Sequence, residues 1–128
     1  MTALTLITPP PVAPLTLAEA KLHLRLDTNE EDTLVTLLID AATSYVDGPT
    51  GFLGRALVDQ TWDLVLDTFP TNEIKIPLPP LIEVVALNYF GTDGIEVTMN
   101  PTAYTVDNVN EPGWIVPDGT WPQTWITI

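Results

Sequence analysis

The stretch Leu34-Val-Thr-Leu-Leu-Ile-Asp-Ala-Ala-Thr-Ser-Tyr-Val46, followed at once by Asp47-Gly-Pro49, decides the fold of the N-terminal part of the chain. Its apolar side chains recur at i, i+3, i+4 and i+7, the spacing of one helix face. This face consists of Leu34, Leu37, Leu38, Ala41, Ala42, Tyr45 and Val46. Gly48-Pro49 predicts the end of the helix, because glycine readily adopts the closing left-handed conformation and proline cannot continue a helix.

A shorter helix is predicted upstream, over residues 17–26. Thr16-Leu-Ala-Glu19 has the form of a capping box, in which the Thr hydroxyl and the Glu carboxylate each satisfy a free backbone N–H group. The apolar side chains form two stripes, one of Leu17, Ala20 and Leu24 and the other of Ala18, Leu22 and Leu26. Two stripes on so short a helix favour a partner subunit in addition to the core.

Two segments flank these helices. Thr28 and Glu31 predict a second capping box, at the start of the longer helix. Residues 1–15 are apolar and contain Pro9, Pro10, Pro11 and Pro14, which predicts an extended arm rather than a helix or a central strand. Such an arm can lie on a neighbouring subunit or across its own domain, and the sequence leaves both open.

After Arg55 the pattern changes to short runs of strand-forming residues separated by Pro and Gly. Gly91-Thr-Asp-Gly94 predicts a hairpin turn. The predicted strands cover residues 61–66, 73–76, 82–90, 95–99, 104–107, 113–116 and 125–128. The expected fold class is α+β, with an extended arm (1–15), a helical pair (16–55) and a small antiparallel β sub-domain (56–128) packed with it.

The charge composition limits the possible partners. The chain carries 17 acidic and 4 basic residues, a formal net charge of −13. Phosphate groups are bound by Lys and Arg, so tight binding to nucleic acid or to an anionic membrane is disfavoured. The acidity suits a surface that DNA passes without binding. A role in keeping the protein soluble is the simpler explanation. Neither a membrane span nor a signal peptide is expected.

The residues needed for catalysis are sparse. The chain has no Cys, the single histidine is His23, and Ser44 lies inside a predicted helix, so no nucleophile–base arrangement can be assembled. No metal site, cofactor or enzymatic activity is expected. Four tryptophans fall in the β half: Trp62, Trp114, Trp121 and Trp125. They allow a carbohydrate- or peptide-binding β module as the alternative function, although filling a small core explains them more simply.

The order of several segments resembles the phage gp6-like head–tail connector family, and within it the phiE125 gp8-like adaptors. The segments that carry the resemblance are Pro14-Leu-Thr-Leu-Ala-Glu-Ala-Lys-Leu-His-Leu-Arg-Leu26, Glu30-Glu-Asp32, Leu38-Ile-Asp-Ala-Ala-Thr-Ser-Tyr-Val46, Thr50-Gly51, Arg55-Ala-Leu57, Gln60-Thr-Trp62, Ile76-Pro-Leu-Pro-Pro-Leu81, Tyr104-Thr-Val-Asp107 and Pro112-Gly113. Two departures stand out. Pro49 and Phe52-Leu-Gly54 lengthen the helix-to-strand junction, and the family's further helix and C-terminal tail would lie beyond Ile128.

The resemblance implies a structural role. It implies a ring of identical subunits in the neck of a tailed phage or phage-like particle, such as a gene transfer agent, made in the host cytoplasm. The ring would contact the portal protein on one side and a tail-side neck protein, a stopper or terminator, on the other. DNA would pass through without specific binding, and no membrane would be involved. The residues expected to pack subunits together are Leu17, Ala20, Leu24, Leu34, Leu38 and Tyr45.

Overall fold

The computed structural model describes residues 2–122 of the chain. Two helices lie in the N-terminal half, between the first strand and the remaining six. The elements are β1 (Thr2–Thr8), α1 (Leu17–Leu24), α2 (Asp32–Val46), β2 (Thr61–Leu66), β3 (Ile74–Ile76), β4 (Asn88–Phe90), β5 (Glu96–Thr98), a 3₁₀ turn (Pro101–Ala103), β6 (Tyr104–Asp107) and β7 (Gly113–Pro117). The predicted strand at 125–128 lies outside the described residues. The α+β fold class with an N-terminal helical pair is confirmed.

The first helix begins at the predicted capping box. The Glu19 backbone N–H donates to Thr16 Oγ1 at 3.2 Å, and the Thr16 backbone N–H donates to Glu19 Oε2 at 2.9 Å. The helix ends at Leu24, earlier than predicted, because Arg25 adopts the left-handed conformation with φ 58°. Its N–H then donates to the Leu22 carbonyl, which closes the last turn.

The second predicted capping box does not form. Helix α2 begins at Asp32, and its N-cap residue Glu31 makes no side-chain capping hydrogen bond. A lysine instead ties this turn to α1: Lys21 Nζ lies 2.6 Å from Asp32 Oδ1 and 2.8 Å from Asn29 Oδ1. The predicted capping box of Thr28 and Glu31 was therefore wrong. The Lys21 side chain of α1 contacts this turn instead.

The helical pair has its own small core. Ala20 of α1 packs with Val35 and Ile39 of α2, and Leu17 and Leu26 lie partly buried against them. The side of α2 that faces inward is thus the one that carries Val35 and Ile39. The face predicted from the spacing of its leucines lies on another side of the helix.

The strands form three separate antiparallel sheets. Strand β1 pairs with β2, β7 lies between β3 and β6, and β4 pairs with β5 as a hairpin. Within the segment predicted as an extended arm, Thr2–Thr8 is extended and pairs with β2 of its own chain, so this part lies across its own domain, one of the two arrangements that the sequence left open. The predicted run 82–90 is a strand only over Asn88–Phe90. Near its start the Ile82 carbonyl accepts a hydrogen bond from Asn108 Nδ2, a side chain rather than a neighbouring strand.

A second core serves the sheets. Its buried residues are Ile74, Leu87, Met99, Ile115 and Trp121, with Leu64, Leu66, Phe69, Ile76, Val84, Tyr89 and Tyr104 packed partly buried around them. The two cores share no residue. Asp47, just after α2, links the two parts: its Oδ1 accepts from the Leu57 backbone N–H at 2.8 Å, and its carboxylate also accepts from Gln60.

Replacing Thr16 by Ala should lower the free energy of unfolding by about 1 kcal/mol, because the first turn of α1 loses its capping hydroxyl. Urea titration followed by circular dichroism would measure the change. Thr28→Ala is the matched control and should have almost no effect, since no side chain caps α2. Equal losses in both variants would contradict this account of the helix starts.

The same cap predicts a pH dependence. Side-chain and backbone hydrogen bonds from Thr16 lower the pKa of Glu19. A carboxylate with a lowered folded-state pKa stabilises the fold above its unfolded-state pKa, and this contribution disappears as the pH falls through the folded-state pKa. The stability difference between the wild type and Glu19→Gln should therefore be largest near neutral pH and shrink in this acidic range. A difference that stays constant from neutral to acidic pH would contradict the prediction.

Candidate interaction surfaces

The described residues do not bring together a catalytic or metal-binding group. Within residues 2–122 no cluster of three or more His, Asp or Glu side chains could hold a metal ion. Both His23 and Ser44 are exposed on their helices. The pKa of Asp107 is lowered by hydrogen bonds from the Asn110 side chain and from the backbone of Asn110 and Val109. That arrangement holds the turn after β6 and contains no reactive partner.

One groove opens between β2 and β3, with a volume of about 530 Å³. Its apolar wall includes Leu64, Leu66 and Ile74, and its polar lining includes Glu73 and Lys75. The groove is wide and open to solvent, and its Glu73 and Lys75 side chains are exposed. It has the character of a surface depression beside the sheets.

The three tryptophans in the described part of the chain do not form a binding face. Trp121 is buried, with its ring stacked on Phe69 at a centroid distance of 4.9 Å and its indole N–H donating to the Asn72 carbonyl. Trp62 and Trp114 are half-buried. The Trp62 indole N–H donates to Gln60 Oε1 at 3.1 Å. Trp125 lies outside the described residues. The three described tryptophans therefore pack into the fold and offer no open stacking platform.

The most distinctive surface is the outward side of α2. Four large apolar side chains of this helix are exposed: Leu34 by 53%, Leu37 by 61%, Leu38 by 56% and Tyr45 by 68%. Phe52 follows the helix and is 77% exposed, with its ring stacked on Tyr45 at 6.0 Å. Ala41 and Ala42 are exposed on the same helix. We call the residues Leu34, Leu37, Leu38, Ala41, Ala42, Tyr45 and Phe52 the α2 stripe.

The residues predicted to pack subunits together are distributed over three environments. Leu34, Leu38 and Tyr45 lie together in the α2 stripe. Leu24 is 52% exposed at the end of α1. Leu17 is half-buried and Ala20 is buried, both in the core of the helical pair. Sequence reasoning missed Phe52, and the only available signal was its position in the short glycine-flanked turn Gly51-Phe-Leu-Gly54 directly after the helix.

No helix in the described part of the chain is both long and apolar enough to cross a bilayer. The chain thus combines a helical pair and small antiparallel sheets with exposed apolar surface and without an assembled catalytic group among the described residues. Exposed apolar surface of this kind is typical of a region that contacts another protein.

Comparison with protein families extends this conclusion. Residues 14–109 match the family described as phage gp6-like head-tail connector protein. The match covers most of the chain, including both helices and strands β2 to β6, so the chain belongs to this family. The family is one of structural, non-enzymatic phage proteins, and the match does not separate its subgroups. Searches of curated proteins and of solved structures returned no match.

Replacing Trp121 by Ala should lower the free energy of unfolding by about 3–5 kcal/mol, because it removes a buried, stacked ring from the second core. Trp62→Ala should cost clearly less, since that side chain is only half-buried. Chemical denaturation would measure both. If Trp121→Ala left the stability unchanged, its role as a core residue would be refuted.

Proposed function

We propose that the chain is one subunit of a ring in the neck of a tailed phage or phage-like particle, such as a gene transfer agent. In this proposal it belongs to the phiE125 gp8-like adaptors of its family. The ring contacts the portal protein on one side and a tail-side neck protein on the other, and DNA passes through its centre. The observation that carries the proposal is the α2 stripe on a chain of the connector family.

The amount of exposed surface supports an assembled state. The chain exposes 9192 Å², whereas a compact monomer of 14.0 kDa exposes about 6700 Å². The accessible surface of the chain is therefore about 2500 Å² larger than that of such a monomer. The two small cores explain the excess, and contacts with other subunits would cover it.

The α2 stripe is suited to contact between identical subunits. Its large exposed side chains amount to on the order of 500 Å² of apolar surface, within the size range of the largest patches on monomers, which are often functional. It contains no charged residue, and Asp40 lies on a different side of the helix. Two copies with a net charge of −13 repel each other. A contact through uncharged apolar side chains avoids placing carboxylates against carboxylates.

The charge of the chain also suits the wall of a channel through which DNA passes. Two of the four basic side chains are engaged within the chain: Lys21 pairs with Asp32 at 2.6 Å, and Arg55 pairs with Glu111 at 3.1 Å. DNA-binding surfaces need clustered Lys or Arg to neutralise phosphates. A ring of acidic subunits would therefore repel the DNA backbone and would not bind DNA specifically.

Contacts with the portal and tail proteins need exposed surface outside the α2 stripe. Apolar side chains are exposed around the β4–β5 hairpin, where Ile95 is 62% exposed and Val85 is 79% exposed. Val97 and Phe90 of the same hairpin are about two-fifths exposed. We assign this hairpin region to contact with one of the two neighbouring proteins.

Replacing Leu34 by Asp should disrupt self-association, because it places a carboxylate in the apolar α2 stripe. Thr33→Asp is the matched control: it introduces the same charge in the same helical turn, on an exposed residue outside the stripe. Sedimentation should show weaker association for Leu34→Asp by about tenfold or more, and an unchanged value for Thr33→Asp. Circular dichroism would establish that both variants keep the fold. Equal self-association of the two variants would show that the α2 stripe does not form the subunit contact.

The position in the particle is tested by electron microscopy of particles from the source. The expected result is density for a ring of this chain at the neck, between portal and tail. Density in the capsid shell, baseplate or fibres would refute the proposal. A glycan array and a tryptophan-fluorescence titration with peptides address the alternative, a binding module, because a connector subunit should give no saturable response.

A further inference from the structure

Strand β1 has one open edge in the described part of the chain. It pairs with β2 on one side, in a sheet of only these two strands. Among residues 2–122 no strand pairs with its other side. An edge of this kind presents a row of backbone N–H and C=O groups that can pair with another strand.

The edge lacks most of the features that normally prevent such pairing. Proteins protect edge strands with charged side chains, prolines, bulges or very short strands. Strand β1 is seven residues long, Thr-Ala-Leu-Thr-Leu-Ile-Thr, with no charged residue and no proline. A bulge between Leu6 and Thr8 disturbs only its end, and Thr2–Leu6 stays in regular register with β2. Five consecutive residues therefore remain available for pairing.

The charge distribution indicates which partner fits this edge. No charged side chain precedes Glu19, and this is the longest uncharged run in the chain. A basic partner would be drawn to the acidic surface elsewhere on the molecule. A second copy, with its own charge of −13, requires the opposite: a contact region free of carboxylates.

The area that a stable interface requires also favours a further contact between copies. A stable, specific interface buries about 800 Å² on each partner. The α2 stripe supplies on the order of 500 Å², so contact between copies needs a further surface.

We propose that the outer edge of β1 pairs with a strand of a second copy of this chain and so extends the β1–β2 sheet across the subunit boundary. This inference rests on the proposed ring and adds a second contact to it, made by backbone hydrogen bonds. The α2 stripe contributes side-chain packing, and the β1 edge fixes the register between neighbours.

Cross-linking between differently labelled copies tests the pairing directly. A photoreactive phenylalanine derivative replaces the exposed Thr5 of β1 in full-length protein, and isotopically light and heavy chains are mixed in equal amounts. Irradiation should join the Thr5 position to strand peptides of the other isotope label. The same probe at the exposed Thr92, in the hairpin turn, is the control and should give few intermolecular products. Equal yields at the two positions would overturn the proposal.

A pair of lysine variants tests the edge in solution. In Thr5→Lys the new side chain faces Asp63 on β2, which keeps the internal sheet stable while it adds a charge to the edge strand. Thr105→Lys makes the same substitution at an exposed residue of β6. Both variants reduce the net charge equally. Thr5→Lys should weaken self-association by about tenfold or more, and Thr105→Lys should leave it unchanged.

The outcomes separate this inference from the proposed function. If Leu34→Asp abolishes association while Thr5→Lys has no effect, copies assemble through α2 alone and the β1 pairing is refuted. If the wild type stays monomeric up to ~1 mM, the β1 pairing is also refuted, and the neck assignment is then decided by electron microscopy. Loss of association in Thr5→Lys, with unchanged circular dichroism and with intermolecular cross-links from Thr5, supports the pairing.

Discussion

The structure depends on one imbalance: α2 carries more apolar surface than α1 can cover. The short helix α1 covers Val35 and Ile39 and leaves three leucines and Tyr45 of α2 in contact with solvent. A fully buried large side chain stabilises a fold by about 1.5–3 kcal/mol relative to its exposed state. None of the four gains this in the isolated chain. The apolar surface that remains exposed is available for packing against other proteins.

The division into two small cores also leaves apolar surface exposed, over a larger part of the molecule. Among residues 2–122, the core of the helical pair contains three buried residues and the core of the sheets contains five. Asp47 connects these parts through hydrogen bonds to Leu57 and Gln60, and the two cores share no residue. A chain built in this way keeps a large accessible surface. That property suits a structural protein of a phage particle, which must contact several neighbours at once.

Charge sets the limits within which such contacts form. Seventeen acidic side chains act against close approach of two copies and against binding of DNA. The α2 stripe and the edge of β1 are two uncharged parts of the surface, and a second copy would meet less repulsion there. In the proposed ring, the hydrophobic effect and backbone hydrogen bonding would supply the attraction there, and the remaining acidic surface would let DNA pass without binding it.

Local interactions determined what could be predicted from the sequence alone. The capping box at Thr16 and Glu19 and the termination of α2 near Gly48 follow from contacts between residues close in the chain. The strands Thr61–Leu66 and Tyr104–Asp107 were indicated by runs of strand-forming residues between turns. These predictions were confirmed. Only the tertiary structure decided which side of α2 faces inward, since both Val35 with Ile39 and the row of leucines have helical spacing. It also decided that β1 pairs with β2, that three sheets form rather than one, and that Lys21 replaces a cap at α2. These outcomes depend on residues that are distant in sequence and compete for the same partners. A local sequence pattern cannot show which of them will make the contact.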